Sequence, residues 1–236
     1  MGFGLRAVGS ACRQVFSHLT LSFGGNVLAM LLSLPIVLAL FVTAFAVHSL
    51  TVVPLGTAVL LGVLPNPACL GLQTIARELA HGHGAAFGEQ WDAFRAHWQV
   101  ALRAWLIGAA VTIVLAANVV FYAAQITNQA SRLHAVATPL FLVWALLLLF
   151  WLGINLYVAP LLLAQVEPRA LLAYRNAVVL TVSRPVASWT VVVLWLGVLV
   201  FTSATALASV VGLALSAAVQ QNAFRRLLPD ALPARG

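Results

Sequence analysis

Residues 133–166 read LHAVATPLFLVWALLLLFWLGINLYVAPLLLAQV, a stretch without any Asp, Glu, Lys or Arg. A helix rises about 1.5 Å per residue, so about 20 apolar residues cross the ~30 Å hydrocarbon core of a membrane. Three further long tracts, residues 14–76, 104–131 and 185–224, lack the same four residue types. These tracts predict an all-α fold, a polytopic bundle of transmembrane helices.

The composition of the whole chain indicates the same class of protein. Hydrophobic residues make up 63% and charged residues 7% of the chain, whereas a soluble domain carries about 25% charged residues. The formal net charge of +7 and the pI near 11.1 would suit a nucleic-acid-binding protein, but the chain shows no zinc-finger spacing and no RNA-recognition motif. Since arginines that flank membrane spans account for the charge, we expect no nucleic-acid partner.

The charge-free tracts divide into six predicted spans within one integral membrane domain, residues 1–236. As a single helix, the last tract would be about 60 Å long, about twice the thickness of the hydrocarbon core. We therefore divide it into two short spans joined near residues 202–205; the alternative is one tilted span followed by a surface helix. The predicted spans lie near residues 26–48, 52–67, 104–124, 137–164, 187–201 and 206–221.

The arginines predict how this bundle is threaded through the membrane. All twelve basic residues are arginines, and six spans with an inner N-terminus leave only Arg132 outside. Because basic residues in short loops concentrate on the cytoplasmic side, we expect an N-in, C-in topology. The inner segments are then the tails 1–23 and 222–236 and the loops 68–103 and 165–186.

The inner loop 68–103 contains the main candidate for an interaction surface. Residues 87–103 repeat aromatic residues at helical spacing among charged ones, which is typical of an amphipathic helix on a membrane surface. We expect this helix to turn into the third span, and either to anchor the loop or to dock a protein partner or anionic lipid headgroups. Residues 167–184 form a second, similar segment. The candidate docking residues are Arg77, Trp91, Phe94, Arg95, Trp98 and Arg103.

Polar residues at membrane depth form the second candidate set. An Asn side chain inside a bilayer either links helices by hydrogen bonds or binds a polar solute, and the sequence leaves both roles open. No carboxylate or arginine lies within a predicted span, which argues against a carrier with an acidic coupling site. Pro67 and Pro160 are expected to end the second and fourth spans. The candidate intramembrane residues are Asn26, Pro35, Pro67, Asn118, Asn155 and Pro160.

The sequence offers no recognisable catalytic machinery. It contains no HExxH motif, no GxSxG elbow and no phosphate-binding glycine loop. His81 and His83 stand beside glycines, which hold metal ligands poorly, so we interpret them as part of a solvated loop. We therefore expect no enzyme activity, no metal and no cofactor.

Three groups of short motifs carry a family resemblance. They are Asn26-Val27-Leu28 with Ser33-Leu34-Pro35; Leu64-Pro65-Asn66-Pro67-Ala68 followed by Arg77, Gly82, Phe87, Phe94 and Trp98; and Tyr157-Val158-Ala159-Pro160-Leu161 with Asn176-Ala177 and Ser183-Arg184-Pro185. This pattern resembles the YesL-like family, small polytopic membrane proteins of bacteria classed as a domain of unknown function. The resemblance implies a bacterial plasma (inner) membrane location. Since family members often appear beside components of carbohydrate ABC transporters, it also implies an accessory role in uptake. Arg184 and the arginine-only tail depart from the Asn or Lys that members often carry.

These observations lead to two hypotheses of different classes. The leading one is an accessory or scaffold protein that associates with transporter subunits through residues 87–103. The alternative is a small transporter, acting alone or as a dimer, that binds a neutral polar solute such as a sugar with Asn26, Asn118 and Asn155. A bundle of six short spans also leaves room for a homo-oligomer.

Overall fold

The structure, a computed structural model, describes residues 2–46, 63–127, 133–204 and 212–228. These residues form α-helices, and no strand occurs among them. The helices are α1 (Gly2–Ser17), α2 (Leu19–Leu32), α3 (Leu34–Ala46), α4 (Pro67–Ala80), α5 (Phe87–Thr127), α6 (His134–Ala164), α7 (Ala170–Ser183), α8 (Pro185–Ala204) and α9 (Leu213–Leu227). The prediction of an all-α fold is confirmed for the described part of the chain.

Helices α5 and α6 are each long and apolar enough to cross a membrane. At about 1.5 Å per residue, their 41 and 31 residues measure about 60 and 45 Å. Two bent helix pairs pass the same test together: α1 with α2, which meet at 95°, and α7 with Pro185–Val198 of α8, which meet at 108°. The described residues therefore contain two candidate spans, or up to four if each bent pair is one span.

Helices α5 and α6 form an antiparallel hairpin with an apolar surface. Trp151 of α6 lies beside Gly108 of α5, and His134 at the start of α6 lies beside Gln125 near the end of α5. Large apolar side chains along the hairpin are 44 to 68% exposed: Leu106, Ile113, Val114, Val120, Phe121, Leu142, Val143, Leu146 and Leu147. An apolar surface of this extent is typical of contact with lipid or with another protein.

The buried core has α9 at its centre. Every residue of α9 except Arg225 and Arg226 is buried. A helix that is buried all round needs neighbours on every side, and α9 contacts α1, α2, α4, α6 and α8. Residues 153–162 of α6 are also buried in succession, so this part of α6 belongs to the core and the earlier part to the exposed hairpin.

Residues 68–103, expected as an inner loop, contribute to this core. Helix α4 is buried along most of its length and contacts α2, α5 and α9. As the sequence indicates, the glycines separate two helices, because α4 ends at Ala80 and α5 begins at Phe87. Gly82 has a φ of +80°, a left-handed conformation that glycine adopts without steric cost. Residues 68–80 of the expected inner segment are therefore a buried helix.

The two prolines that were expected to end spans have different roles in the structure. Pro67 is the first residue of α4, where the missing N–H costs nothing, and Asn66 caps the helix by accepting the Ala68 N–H at 2.8 Å. Pro160 does not end the fourth span, because α6 continues to Ala164. Proline is tolerated inside a membrane helix when neighbouring groups satisfy the freed backbone carbonyl.

Helix boundaries also differ from the predicted spans. Residues 26–48 are not one helix, since α2 ends at Leu32 and α3 begins at Leu34, with Pro35 in its first turn. The amphipathic segment 87–103 does not turn into the third span but continues into it as the single helix α5. Most of the predicted span 52–67 and part of the span 206–221 lie outside the described residues.

Glycines let α2, α4 and α5 approach one another closely around Gln90. A Cβ atom at Gly71 of α4 would lie 2.5 Å from the backbone oxygen of Gln90. A Cβ atom at Gly25 of α2 would lie 2.9 Å from Oε1 of the same side chain. Gln90 Nε2 donates to the Gly25 carbonyl at 3.0 Å, so this fully buried amide fastens α5 to α2.

We predict that Gly71→Ala lowers the stability of the bundle by about 1–3 kcal/mol, the usual cost of overpacking a core. The new methyl group would meet backbone atoms of Gln90, which cannot rotate away. Thermal unfolding in detergent, followed by tryptophan fluorescence, measures the change. Gly88→Ala is the matched control, because nothing lies within 4 Å of its Cβ position and alanine favours a helix over glycine by about 1 kcal/mol. Equal Tm values for the two variants would contradict the prediction.

Candidate functional site

Amide and hydroxyl side chains connect α9 to the helices around it. Gln73 of α4 donates to Gln220 Oε1 at 2.6 Å and accepts a hydrogen bond from Gln221 Nε2 at 2.9 Å. On another side of α9, Ser216 accepts a hydrogen bond from the Trp195 indole at 2.9 Å. Buried polar groups cost free energy unless they are paired. These bonds therefore allow a helix with a polar sequence to occupy the centre of an apolar bundle.

Asn26 caps the N-terminus of α9 from a different helix. Its Oδ1 atom accepts the backbone N–H groups of Leu213 at 2.9 Å and of Ala214 at 3.2 Å. The first N–H groups of a helix have no partner inside it, and the residue at the N-cap, Gly212, has no side chain to supply one. Asn26, itself fully buried in α2, therefore satisfies the two buried donors.

The C-terminal end of α9 is joined to α1 and α4. Asn222 Nδ2 donates to Gln14 Oε1 at 2.8 Å, and Gln14 Nε2 donates to the Ala76 carbonyl at 2.9 Å. Arg226 donates to the Ser10 hydroxyl at 2.7 Å. The first and last described helices of the chain thus meet at one end of the bundle.

A second polar cluster links α5, α6 and α7. The Tyr174 hydroxyl lies 2.9 Å from the Ala104 carbonyl and 3.1 Å from Asn155 Oδ1, so its single hydrogen is shared between two acceptors. The Trp151 indole stacks on Tyr174 with ring centroids 5.3 Å apart and donates to Thr112 at 3.0 Å. Asn155 is therefore held between helices by hydrogen bonds.

The three candidate solute-binding asparagines do not come together. Asn26 caps α9 and Asn155 faces Tyr174, whereas Asn118 donates to the Val114 carbonyl of its own helix at 2.8 Å. A cavity lined by Gln73 and Gln220 has a volume of about 10 Å³. That volume is close to the minimum for one water molecule and far below the size of a sugar.

Four of the six predicted docking residues share the exposed start of α5. We call Phe87, Trp91, Phe94, Arg95 and Trp98 the aromatic face. The rings of Trp91 and Phe94 stack with centroids 5.6 Å apart, and the Arg95 guanidinium lies 5.2 Å from the Trp91 ring centroid, which is a cation–π geometry. The side chains at positions 87, 91 and 98 are 43%, 39% and 45% exposed, so these three are accessible to a partner, whereas Phe94 is half-buried.

The other two predicted docking residues lie elsewhere. Arg77 is half-buried, pairs with Glu78 at 3.1 Å and donates to the Leu163 carbonyl at 2.9 Å. That carbonyl belongs to the last turn of α6, where a helix leaves acceptors without internal partners. Arg77 therefore makes a structural contact. Arg103 instead lines a separate groove beside α5.

This groove runs between α5 and α7 and has a volume of about 980 Å³; we call it the α5–α7 groove. Its cationic lining residues are Arg103, Arg169 and Arg175, and the side chain of His97 also lines it. Its apolar lining includes Val100, Leu106, Ile107, Leu171 and Leu172. The groove therefore combines positive charge and hydrocarbon contact in one cavity.

A second arginine-lined cavity has a different character. It lies between α1, α9 and the end of α4, has a volume of about 550 Å³, and we call it the α1–α9 cavity. Its charged residues are Arg6, Arg13, Arg225 and Arg226, its polar ones are Ser10, Gln14, Ser17, His18 and Asn222, and its largest apolar one is Leu79. No carboxylate is among the described residues that line it. This cavity suits polar anions and offers little hydrocarbon contact.

The histidines of the loop between α4 and α5 each have a local partner. His81 Nδ1 lies 2.7 Å from the Arg77 carbonyl, and His83 Nδ1 lies 3.1 Å from Glu78 Oε2. Among the described residues, no group of three or more His, Cys, Asp or Glu side chains could hold a metal ion.

The sequence does not single out five amide side chains that form hydrogen bonds between helices, namely Gln14, Gln90, Gln220, Gln221 and Asn222. The detectable signal was the run of three amides at positions 220–222, inside a tract with no charge. Their partners lie on helices far away in the sequence, so only the three-dimensional arrangement reveals what each amide binds.

Comparison of the chain with protein-family models, with curated proteins and with solved structures gives no match. The resemblance to the YesL-like family therefore stays a prediction that rests on the motifs alone. The features of this chain that bear on its function are the α5–α7 groove, the aromatic face and the buried amides.

We predict that Asn26→Leu destabilises the bundle by about 1–3 kcal/mol, because two buried N–H groups at the start of α9 lose their acceptor. Asn118→Leu should change stability by less than about 0.5 kcal/mol, since that side chain bonds only within its own helix. Thermal unfolding in detergent compares the two variants. A loss for Asn118→Leu as large as that for Asn26→Leu would show that the cap is not what stabilises α9.

Proposed function

We propose that this chain is an accessory or scaffold protein of the bacterial plasma membrane that associates with the subunits of a carbohydrate ABC transporter. The aromatic face of α5 is the surface that binds the partner. One observation carries the proposal: the buried polar side chains that a carrier would present to a solute bond to other helices, while the aromatic face stays exposed. Asn118, the exposed candidate, bonds within its own helix.

The buried polar groups support a structural role for the bundle interior. Asn26, Gln73 and Asn155 each face a partner on another helix. A solute would have to displace these hydrogen bonds, and leaving a buried donor or acceptor unpaired costs about 1–3 kcal/mol per group. This cost favours a scaffold over a carrier that binds sugars at these positions.

The aromatic face has the composition of a protein-binding surface. Trp and Arg are the residues most enriched at the energetic centres of interfaces, and a rigid, stacked ring loses little entropy when it is covered. Trp195, Tyr157 and Phe224 are fully or almost fully buried, so the fold readily covers large aromatic residues. Phe16 and Phe121 are exposed as well, so the feature that distinguishes the aromatic face is the stacking of Trp91 on Phe94 with Arg95 beside the ring.

We propose six spans with both termini on the cytoplasmic side. Arg6 and Arg13 of α1 line the same cavity as Arg225 and Arg226 of α9, which supports placing the two ends of the chain on one side. The residues before the loop between α4 and α5 reach the same cavity through Leu79. Basic residues gathered at one end are what the positive-inside rule requires of a cytoplasmic face.

A reporter enzyme that is active only in the periplasm tests this topology. Fused after Gly236 it should stay inactive, because the C-terminus is inside, and inserted beside Arg132 it should be active. A cytoplasm-active reporter at the same two positions is the control and should give the opposite pattern. Periplasmic activity after Gly236 would rule out the six-span arrangement.

Truncating the aromatic face should release the partner. We predict that the triple variant Trp91→Ala, Phe94→Ala and Trp98→Ala retains less than about a tenth of the transporter subunits that co-purify with the unaltered chain in mild detergent, since central aromatic residues contribute about 2 kcal/mol or more each. Quantitative mass spectrometry of the purified complex measures the loss. The control variant, Phe16→Ala with Phe121→Ala, removes exposed aromatic rings elsewhere and should retain the subunits.

Two outcomes would overturn the proposal. Unchanged co-purification by the triple variant would remove the aromatic face from it. Solute uptake by liposomes that contain only the purified chain would show a carrier that needs no partner.

A further inference from the structure

The two arginine-lined cavities of this protein differ in what surrounds the charge. The α1–α9 cavity is lined mainly by polar side chains, and its Arg226 already donates to Ser10. In the α5–α7 groove, Arg103 and Arg175 form no hydrogen bond or ion pair with any described residue, and apolar side chains stand beside them. The groove therefore offers free positive charge next to hydrocarbon surface.

We propose that the α5–α7 groove is a binding site for an anionic phospholipid. The phosphate group lies against the guanidinium groups of Arg103, Arg169 and Arg175, and an acyl chain lies against the apolar wall of the groove. This proposal rests on the cytoplasmic orientation proposed above, because the cytoplasmic leaflet supplies anionic lipid to basic pockets between helices.

The charge of the groove suits a headgroup that carries one or two phosphates. Guanidinium groups bind phosphate oxygens through paired, charge-assisted hydrogen bonds. Among the described residues, the one carboxylate that pairs with any of these arginines is Glu167, which lies 2.7 Å from Arg169. Both partners of that pair are more than two-thirds exposed, so the pair is weak and leaves the other two arginines uncompensated.

The apolar wall of the groove suits an acyl chain. Arg103 is the last charged residue of α5, and Leu106, one turn further, is 53% exposed. Residues three and four positions apart share a helix face, so Leu106, Ala110, Ile113 and Val114 continue this apolar surface along α5. On the opposite wall, Leu171 is 74% exposed. A lipid held at Arg103 can therefore lay its chain along α5 without leaving apolar surface.

The bend between α7 and α8 places this groove at the level of the headgroups. The two helices meet at 108°, and residues 185–224 are free of charge, whereas α7 and the residues that flank it carry Arg169, Arg175 and Arg184. A helix that lies along the interface before the chain enters the hydrocarbon core has this pattern. A soluble polyanion would use the arginines but would leave the hydrocarbon wall in water.

Lipid binding to the full-length protein in neutral detergent tests the proposal. Native mass spectrometry would compare phosphatidylglycerol and cardiolipin with phosphatidylcholine, and the anionic lipids should be retained preferentially. Arg103→Gln combined with Arg175→Gln should weaken anionic-lipid binding about 25-fold, since each arginine near an anionic surface contributes about a factor of five. Neither side chain forms a hydrogen bond or ion pair with a described residue. This variant should therefore fold normally, and its Tm without lipid should match that of the unaltered chain.

Matched variants identify the source of the effect. Arg13→Gln combined with Arg225→Gln removes the same charge from the α1–α9 cavity and should leave lipid binding unchanged. Leu106→Gln combined with Leu171→Gln keeps the charge of the groove and should also weaken binding, which a site for a headgroup alone would not do. Pyrophosphate at millimolar concentration should not displace the lipid.

Three results would overturn the lipid site. They are unchanged binding by the groove arginine variant, equal losses in both arginine variants, and displacement by pyrophosphate, which would indicate a soluble polyanion. If the unaltered chain binds anionic lipid selectively but co-purifies with no transporter subunits, only the proposed docking role fails. Retained subunits without lipid selectivity would count against the lipid site only.

Discussion

The hydrogen bonds made by the side chains around α9 are the constraint on which the rest of the structure depends. A helix that contains Gln220, Gln221 and Asn222 can lie at the centre of an apolar bundle only if each amide finds a partner. The partners of these amides lie on α1 and α4, and Asn26 of α2 accepts the first N–H groups of α9. Each of these side chains must lie at one position along the α9 axis. An apolar contact tolerates sliding, whereas a buried amide pair does not, so these bonds set the register of the helices around α9.

This constraint separates the inside of the bundle from its surface. Apart from Ser33 Oγ, Gln90 Oε1 and Gln165 Nε2, the buried polar side-chain atoms of the described residues are hydrogen-bonded, and the α5–α6 hairpin presents apolar side chains outward. Helix α5 belongs to both regions, because Gln90 fastens its first turn to α2 while Leu106 and Ile113 are exposed further along. The chemistry that remains available to other molecules is therefore on α5, at the aromatic face and in the α5–α7 groove.

The sequence alone predicted the helical class, the apolar tracts and the clustering of four aromatic-face residues, because hydropathy and helical spacing are local properties. It could not predict partners that are distant in the chain. Asn26 caps a helix that begins 187 residues later, and Arg77 satisfies the Leu163 carbonyl across 86 residues; no local pattern records either contact. Pro160 did not end its helix, since whether proline ends a helix depends on the neighbours that satisfy its freed carbonyl. The sequence also did not show that residues 68–80 are buried, because the partners of Gln73 and Arg77 lie on distant helices.

The distribution of the arginines predicts a cytoplasmic face by the positive-inside rule, but that rule gives each of them the same role. Their contacts distinguish them: Arg77 and Arg226 satisfy groups within the fold, Arg95 covers Trp91, and Arg103 and Arg175 have no described partner. Orientation in the membrane requires only charge near the cytoplasmic face, so it does not explain why unpaired arginines stand beside an apolar groove. The groove and the aromatic face are both on the first half of α5, which is a rigid helix. A lipid in the groove would therefore hold that half of α5 at the headgroup level, and the aromatic face would then meet a partner at a defined height above the membrane.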